Sequence, residues 1–335
     1  MTTVLITGAG GFLGSHILQQ VLRRTSWDVV AVDSFRHNGG TDRILQAMTE
    51  NDFPHQIGQS RQQIINDTRH RVCLCTHDLA APFSVQQLDQ LGLVDYIVHA
   101  AARCSVDDSI RYPYDHVMNN VQSTLTMLNL AEVFKVDRYL HISTDEVFGP
   151  FQGLHTEADK HSPSSPYAAS KAACEDLTQA WARTYGVPAS IVNSANLFGE
   201  RQSQLAFIPQ TIRRIDQGLP VTIHTRDGEP AWRWYTYAPN VGAWVVDTLA
   251  YKQLHPRHLL RGQLGLNVQN LAHRIADIMG KPVEFKLVEG DSERPGFDHG
   301  YGQLPQDPSW KPEFSAVEGL ENTVNWFLAN PSWLA

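Results

Sequence analysis

Two adjacent carboxylates, Asp145 and Glu146, follow a Ser-Thr pair in the stretch HISTDEVFGP (141–150). Two carboxyl groups in different protonation states can serve one substrate as acid and base. Downstream, Tyr167 and Lys171 stand one helical turn apart in SPYAASKAA and so share a helix face. An ammonium beside a phenol stabilises phenolate and lowers the tyrosine pKa toward neutrality. That makes Tyr167 a proton carrier.

Upstream, TGAGGFLG spaces Gly8, Gly11 and Gly14 as G-x-x-G-x-x-G between a strand and a helix. Glycines there allow a tight turn and close approach of backbone to a pyrophosphate, and the helix start offers unpaired N–H groups. Asp33 ends the second strand, about twenty residues on. A carboxylate there accepts both ribose hydroxyls of an adenosine and repels a 2′-phosphate. This favours NAD over NADP, although Arg36 lies close by. Asp78 and Leu79, after the third strand, could flank the adenine.

The elements that must position these groups read as alternating strands and helices. Strands are expected over 3–7, 28–33, 71–79, 94–102, 137–144 and 189–199, and helices after the glycines, near 41–49 and over 113–135. Another helix follows Ser165 and Pro166, with Gly186 and Pro188 to stop it. Alternation of this kind means an α/β fold with a doubly wound parallel sheet. After residue 200, short strands (PVTIH, PVEFKLV) mix with helices near 207–217, 239–251, 269–279 and 316–329. The division expected is a cofactor domain over 1–200 carrying the catalytic groups and a smaller mixed α/β substrate lobe over 201–335, with some chain free to cross back to the sheet. The segment 36–70 is polar and gives little pattern beyond the helix near 41–49.

Bulk properties narrow the class. The chain has 335 residues, 42% hydrophobic and 19% charged, enough for a large core. A net charge of −8 and a pI near 6.0 argue against non-specific nucleic-acid binding. Four cysteines fit no common zinc spacing, so no metal is expected and the thiols read as reduced. No apolar run reaches a membrane span, and the chain opens directly on a strand, so a cytoplasmic enzyme is expected.

Together the glycine loop, the Tyr-x-x-x-Lys pair and the Ser/Thr at the end of the fifth strand resemble the extended short-chain dehydrogenase/reductase family of NAD-dependent epimerases and dehydratases, which modify nucleotide sugars. STDEVFG is similar to the Ser-Thr-Asp-Glu-Val-Tyr-Gly motif of its dTDP-glucose 4,6-dehydratase branch. The resemblance implies a Rossmann-type fold and a homodimer. It implies that Thr144 bonds the sugar 4-oxygen, Tyr167 removes its proton and Lys171 holds the nicotinamide ribose. Asp145 would be the acid and Glu146 the base of an elimination across C5 and C6. Phe12, Leu13, Ala100 and Ala102 would line the cofactor. HAAARCSVDDS offers Ser105 and Asp107 as sugar contacts, and Asn120 resembles the asparagine of the next helix. Asn196 in NLFG, Arg233 in WRWYTY and Arg294 in ERPGFD would reach the sugar diphosphate.

The downstream half departs from this pattern. Leu205 and Ala206 replace a Glu-Lys pair, Trp234 replaces an Asp, and Ala238-Pro239-Asn240 replaces Val-Glu-Asp. Arginines expected after Asp298 are missing. These positions read nucleotide and sugar, so dTDP- and UDP-linked hexoses both stay open. Also open are a 4-epimerase, a UDP-glucuronate decarboxylase and a catalytically idle NAD-binding regulator.

Overall fold

The computed structural model describes residues 2–51, 71–150, 153–156, 158–251, 254–289, 302–305 and 307–335. Its centre is a seven-stranded parallel sheet. The strands are β1 (Thr3–Thr7), β2 (Asp28–Asp33), β3 (Val72–Thr76), β4 (Tyr96–His99), β5 (Arg138–Thr144), β6 (Ala189–Ser194) and β11 (Arg257–Leu260). Their order is β11-β6-β5-β4-β1-β2-β3, so the winding reverses direction at β1. This is the Rossmann-type arrangement, which opens a crevice at the carboxyl ends beside β1.

Both faces of the sheet are covered. Val4 and Ile6 of β1 face one apolar layer, and Leu5 faces the other. Helices α1 (Phe12–Arg24), α2 (Thr41–Thr49) and α8 (Ala238–Tyr251) supply the first layer. Helices α3 (Val85–Leu91), α5 (Pro113–Phe134) and α6 (Pro166–Tyr185) supply the second. The short helix α4 (Val106–Arg111) precedes α5. Burial on both faces explains why these strands read as continuous apolar runs.

The expected strand over 189–199 divides in two. β6 ends at Ser194, and β7 (Asn196–Phe198) leaves the main sheet to pair with β10 (Trp232–Tyr237). β10 also pairs antiparallel with β12 (Leu264–Asn267). A second small sheet joins β8 (Val221–Arg226) to β9 (Glu229–Pro230) and β13 (Phe285–Glu289). Helices α7 (Phe207–Asp216), α9 (Val268–Met279) and α10 (Ala316–Ala329) close a separate core over these sheets. Residues 238–260 return to the main sheet, as helix α8 against α1 and as strand β11 beside β6.

The hinge between β6 and this second core is a polar knot. Arg201, 1% exposed and left-handed at φ 62°, bonds Glu50 (2.6 Å), His16 and Gln19 (both 2.8 Å). It fixes the chain leaving β7 onto α1 and the end of α2. Among the described residues no helix is long and apolar enough to cross a membrane.

Candidate active site

The turn after β1 is wound as tightly as its glycines permit. Gly8 lies at φ +67°, and its amide donates to Val32 O at 2.8 Å. A Cβ on Gly14 would meet Gly8 O at 2.0 Å, and one on Gly10 would meet the Phe35 ring at 2.7 Å. Helix α1 opens at Phe12 and Leu13 with no side-chain cap and no acid in its first turn. Those open N–H groups and the dipole suit a pyrophosphate. Asp33 stands at the rim, where Oδ2 accepts from Gly10 N and Oδ1 from Phe35 N, both at 2.9 Å. Each oxygen keeps a second lone pair for a ribose hydroxyl. Arg36, the nearby cation that could have favoured a 2′-phosphate, is paired with Asp78. Leu79 is buried in the apolar layer beneath. Ala100 follows β4 directly, and the amides of Ala100 and Ala101 donate to Thr7 Oγ1 at 3.1 Å. Ala102 continues that loop. The cradle therefore fits a dinucleotide without a 2′-phosphate.

Beside it, β5 ends at Thr144 and runs into a single 3-10 turn, Asp145–Phe148. Thr144 Oγ1 caps that turn by accepting from Glu146 N and donates to Asp145 Oδ1, both at 3.2 Å. Helix α6 starts where its punctuation places it. Ser165 Oγ accepts from Ala168 N at 3.1 Å, Pro166 fills the first position, and Gly186 ends the helix at φ 69°. Tyr167 thus stands at the first turn, beside the end of β5, where Thr144 acts on its hydroxyl. Thr144, Asp145, Glu146 and Tyr167 form one cluster at the crevice.

Electrostatics separate the members of this cluster. Asp145 is 1% exposed, and burial, with the adjacent Glu146, pushes its carboxyl up to about 8. Arg233 is near enough for its charge to oppose that rise. Asp145 Oδ2 is buried without a partner, a fitting place for a proton. Tyr167 departs from expectation. Burial first, then Cys104, Glu146 and Asp145, hold its phenol well above the usual range. Lys171 spends two N–H bonds elsewhere, on Ile142 O (2.7 Å) and His141 Nε2 (3.1 Å). In this arrangement desolvation and the neighbouring Cys104, Glu146 and Asp145 decide the direction for Tyr167.

Behind the cluster lies a fully buried carboxylate. Glu175, two turns beyond Tyr167, accepts from Ser143 Oγ (2.5 Å) and Asn193 Nδ2 (2.7 Å) and pairs with Arg257 (2.7 Å) and His161 (2.9 Å). Asn193 Nδ2 also donates to Thr144 O at 2.9 Å. Helix α6 and strands β5, β6 and β11 are thereby tied together directly under the reactive turn.

The other expected residues fall in several places. Ser105 caps α4 through Asp108 N at 3.1 Å, and Asp107 lies in that helix's first turn. Asn120 holds the loop before α4, bonding Arg103 N (2.8 Å), Arg103 O (3.1 Å) and Ser170 Oγ (2.8 Å). Asn196 reaches Trp234 O at 3.4 Å across the β7–β10 pairing. Arg233 donates to Trp232 O at 2.8 Å and acts electrostatically on Asp145. Arg294 lies outside the described residues. The sequence reading missed Cys104, whose thiol donates to Ala102 O at 3.4 Å and acts electrostatically on Tyr167, as well as His141 and Glu175. Spacing held a signal for Glu175, which continues the Tyr167–Lys171 face by one more turn. All four cysteines are free, and among the described residues no cluster of His, Cys, Asp and Glu is arranged to hold a metal.

The profile of the NAD dependent epimerase/dehydratase family matches residues 4–258. The chain belongs to that family. Within this epimerase/dehydratase family it is 28% identical over 360 residues to dTDP-glucose 4,6-dehydratase of Haemophilus influenzae, with 99% of each chain covered. It is similar to the crystal structure of DesIV, a dTDP-glucose 4,6-dehydratase from Streptomyces venezuelae, with NAD and TYD bound. The TM-score is 0.82 at 27% identity, covering 99% of this chain and 98% of that one. UDP-glucose 4-epimerase of Thermus thermophilus, in complex with NAD, shares the fold at TM-score 0.82 and 24% identity, covering 98% and 99%.

Proposed function

We propose that the protein is an NAD-dependent nucleotide-sugar 4,6-dehydratase acting on a dTDP- or UDP-linked hexose. The observation that carries this reading is the Asp145–Glu146 pair, held beside Tyr167 with one carboxyl raised to about 8 and its outer oxygen unpartnered.

The glycine turn, Asp33 and the start of α1 would hold NAD, which supplies the acceptor and later the donor of one hydride. Thr144 orients the sugar 4-hydroxyl and Tyr167 takes its proton. The resulting 4-ketone acidifies the C5 proton, which Glu146 takes. Asp145, protonated near neutral pH, gives its proton to the C6 hydroxyl, which leaves as water. Such division of labour needs one carboxyl kept protonated, which the burial of Asp145 provides, while Glu146 is only half-buried. Arg233, Asn196 and Arg294 would meet the diphosphate, and Ser105, Asp107 and Asn120 would line or support the sugar side. On this reading residues 1–200 carry cofactor and chemistry, and residues 201–335 carry substrate contacts. A homodimer in the cytoplasm completes the reading.

The test is a panel of dTDP- and UDP-linked glucose and N-acetylglucosamine. A ligand bound only by the native state must stabilise it. The true substrate raises the melting temperature and loses one water. Stabilisation by NAD with no nucleotide sugar turned over would make the protein a regulator instead.

A further inference from the structure

We propose that His141 is the positioning residue that aims the Lys171 ammonium at Tyr167 for proton transfer. The inference rests on the reading of Tyr167 as proton acceptor.

The geometry fixes the chemistry of the contact. His141 and Ser143 alternate on the face of β5 that meets α6, opposite Lys171 and Glu175. Lys171 Nζ lies 3.1 Å from His141 Nε2 and 2.7 Å from Ile142 O. An ammonium only donates. Nε2 must therefore accept, and the ring must be neutral with its proton on Nδ1. That Nδ1 is buried and has no partner. A buried N–H without an acceptor is unfavourable for folding, so packing alone gives no reason for a histidine here.

The neighbouring ring is arranged in the opposite sense. Thr7 Oγ1 accepts the amides of Ala100 and Ala101, so its own proton goes to His99 Nδ1 at 2.9 Å. His99 Nε2–H then donates to Thr124 Oγ1 at 3.2 Å. Both rings are held neutral by burial first and then by the Lys171 charge. The thiols of Cys104 and Cys174 feel the same ammonium. Lys171 is thus a buried cation clamped by two acceptors, one helical turn from Tyr167 on the same helix. Burial and negative neighbours raise the Tyr167 phenol, so phenolate depends on where that cation sits. Removing the Nε2 acceptor unclamps it.

The test compares two variants that separate packing from hydrogen bonding. His141→Phe keeps the ring and removes the acceptor. His141→Gln keeps an acceptor in a smaller side chain. The readout is single-turnover oxidation at C4, followed as reduced-nicotinamide absorbance, together with KM for the sugar and the melting temperature. His141→Phe is expected to slow oxidation by about tenfold or more, with KM and melting temperature held or the latter raised. His141→Gln is expected to stay within about threefold of the parent. Parental rate in His141→Phe, or equal loss in both variants, overturns the proposal. A second readout needs no turnover. Nitrogen-15 NMR of the parent should show His141 neutral, with its proton on Nδ1, between about pH 5 and 8. A charged ring or an Nε2–H ring overturns the proposal on its own. If the parent oxidises no nucleotide sugar while the NMR result holds, the proposed function fails and the clamp on Lys171 stands.

Discussion

Thr144 Oγ1 donates to Asp145 Oδ1 at 3.2 Å and leaves Asp145 Oδ2 buried with no partner. The bond aims one carboxyl oxygen and leaves the other without a hydrogen-bond donor. Burial then raises the carboxyl from an ordinary 3.8 to about 8.

The sign of the resulting pH dependence follows. The folded state holds this proton more tightly than the unfolded chain. Its advantage is complete below about pH 4 and drains away as pH rises to about 8. The protein should lose stability relative to Asp145→Asn across that window, then level off. Denaturant unfolding of both proteins at several pH values measures it. As the acid, Asp145 must be protonated, so elimination should also slow as pH rises through about 8. A rate still climbing well above that pH would remove Asp145 from the acid role.

Glu146 is expected to matter for one step only. Glu146→Gln should lower water loss by about a hundredfold or more while C4 oxidation persists. Reduced nicotinamide should then accumulate, visible by absorbance in stopped flow. Ordinary dehydration in that variant would exclude Glu146 as the base.

The Glu175 cluster should carry stability as well as alignment. Arg257→Leu leaves a buried carboxylate short of its cation and should cost about 3 kcal/mol or more. Glu175→Gln keeps the one oxygen that accepts from both Ser143 and Asn193 and should cost less. Urea unfolding midpoints of the two variants rank them. Equal midpoints would mean that the Arg257–Glu175 pair at 2.7 Å contributes little.

Gly14 and Gly186 separate two uses of glycine. Gly14→Ala drives a Cβ to 2.0 Å from the Gly8 carbonyl oxygen, a backbone atom that cannot step aside. NAD affinity should fall by about tenfold or more, with a lowered melting temperature. Gly186→Ala meets nothing within 4 Å and bears only the left-handed strain of φ +69°, about 1 kcal/mol. Calorimetric titration with NAD should find its affinity intact.

Much of this organisation is legible in the sequence because local signals agree with the fold. The glycine turn, the apolar run of β1 and the Ser165–Pro166 to Gly186 punctuation of α6 need only near neighbours to be read. What escapes is decided at long range. β7 leaves β6 after one residue because β10, about forty residues later, offers it a partner. β11 is four residues long and becomes a strand by lying beside β6. Ser105, expected beside the sugar, also caps α4, since both uses ask for a hydroxyl at a loop end. His141 and Glu175 look like ordinary polar residues until burial shows that each of their bonds is made to a site-bearing element.

The central claim concerns elimination, and an isotope follows it directly. Incubate the protein and NAD with dTDP-glucose and UDP-glucose carrying deuterium at C4, and analyse the sugar by mass spectrometry and NMR. The account predicts loss of one water, with the deuterium carried to C6 of a 4-keto-6-deoxy product. Deuterium returned to C4 with no change of mass would contradict it.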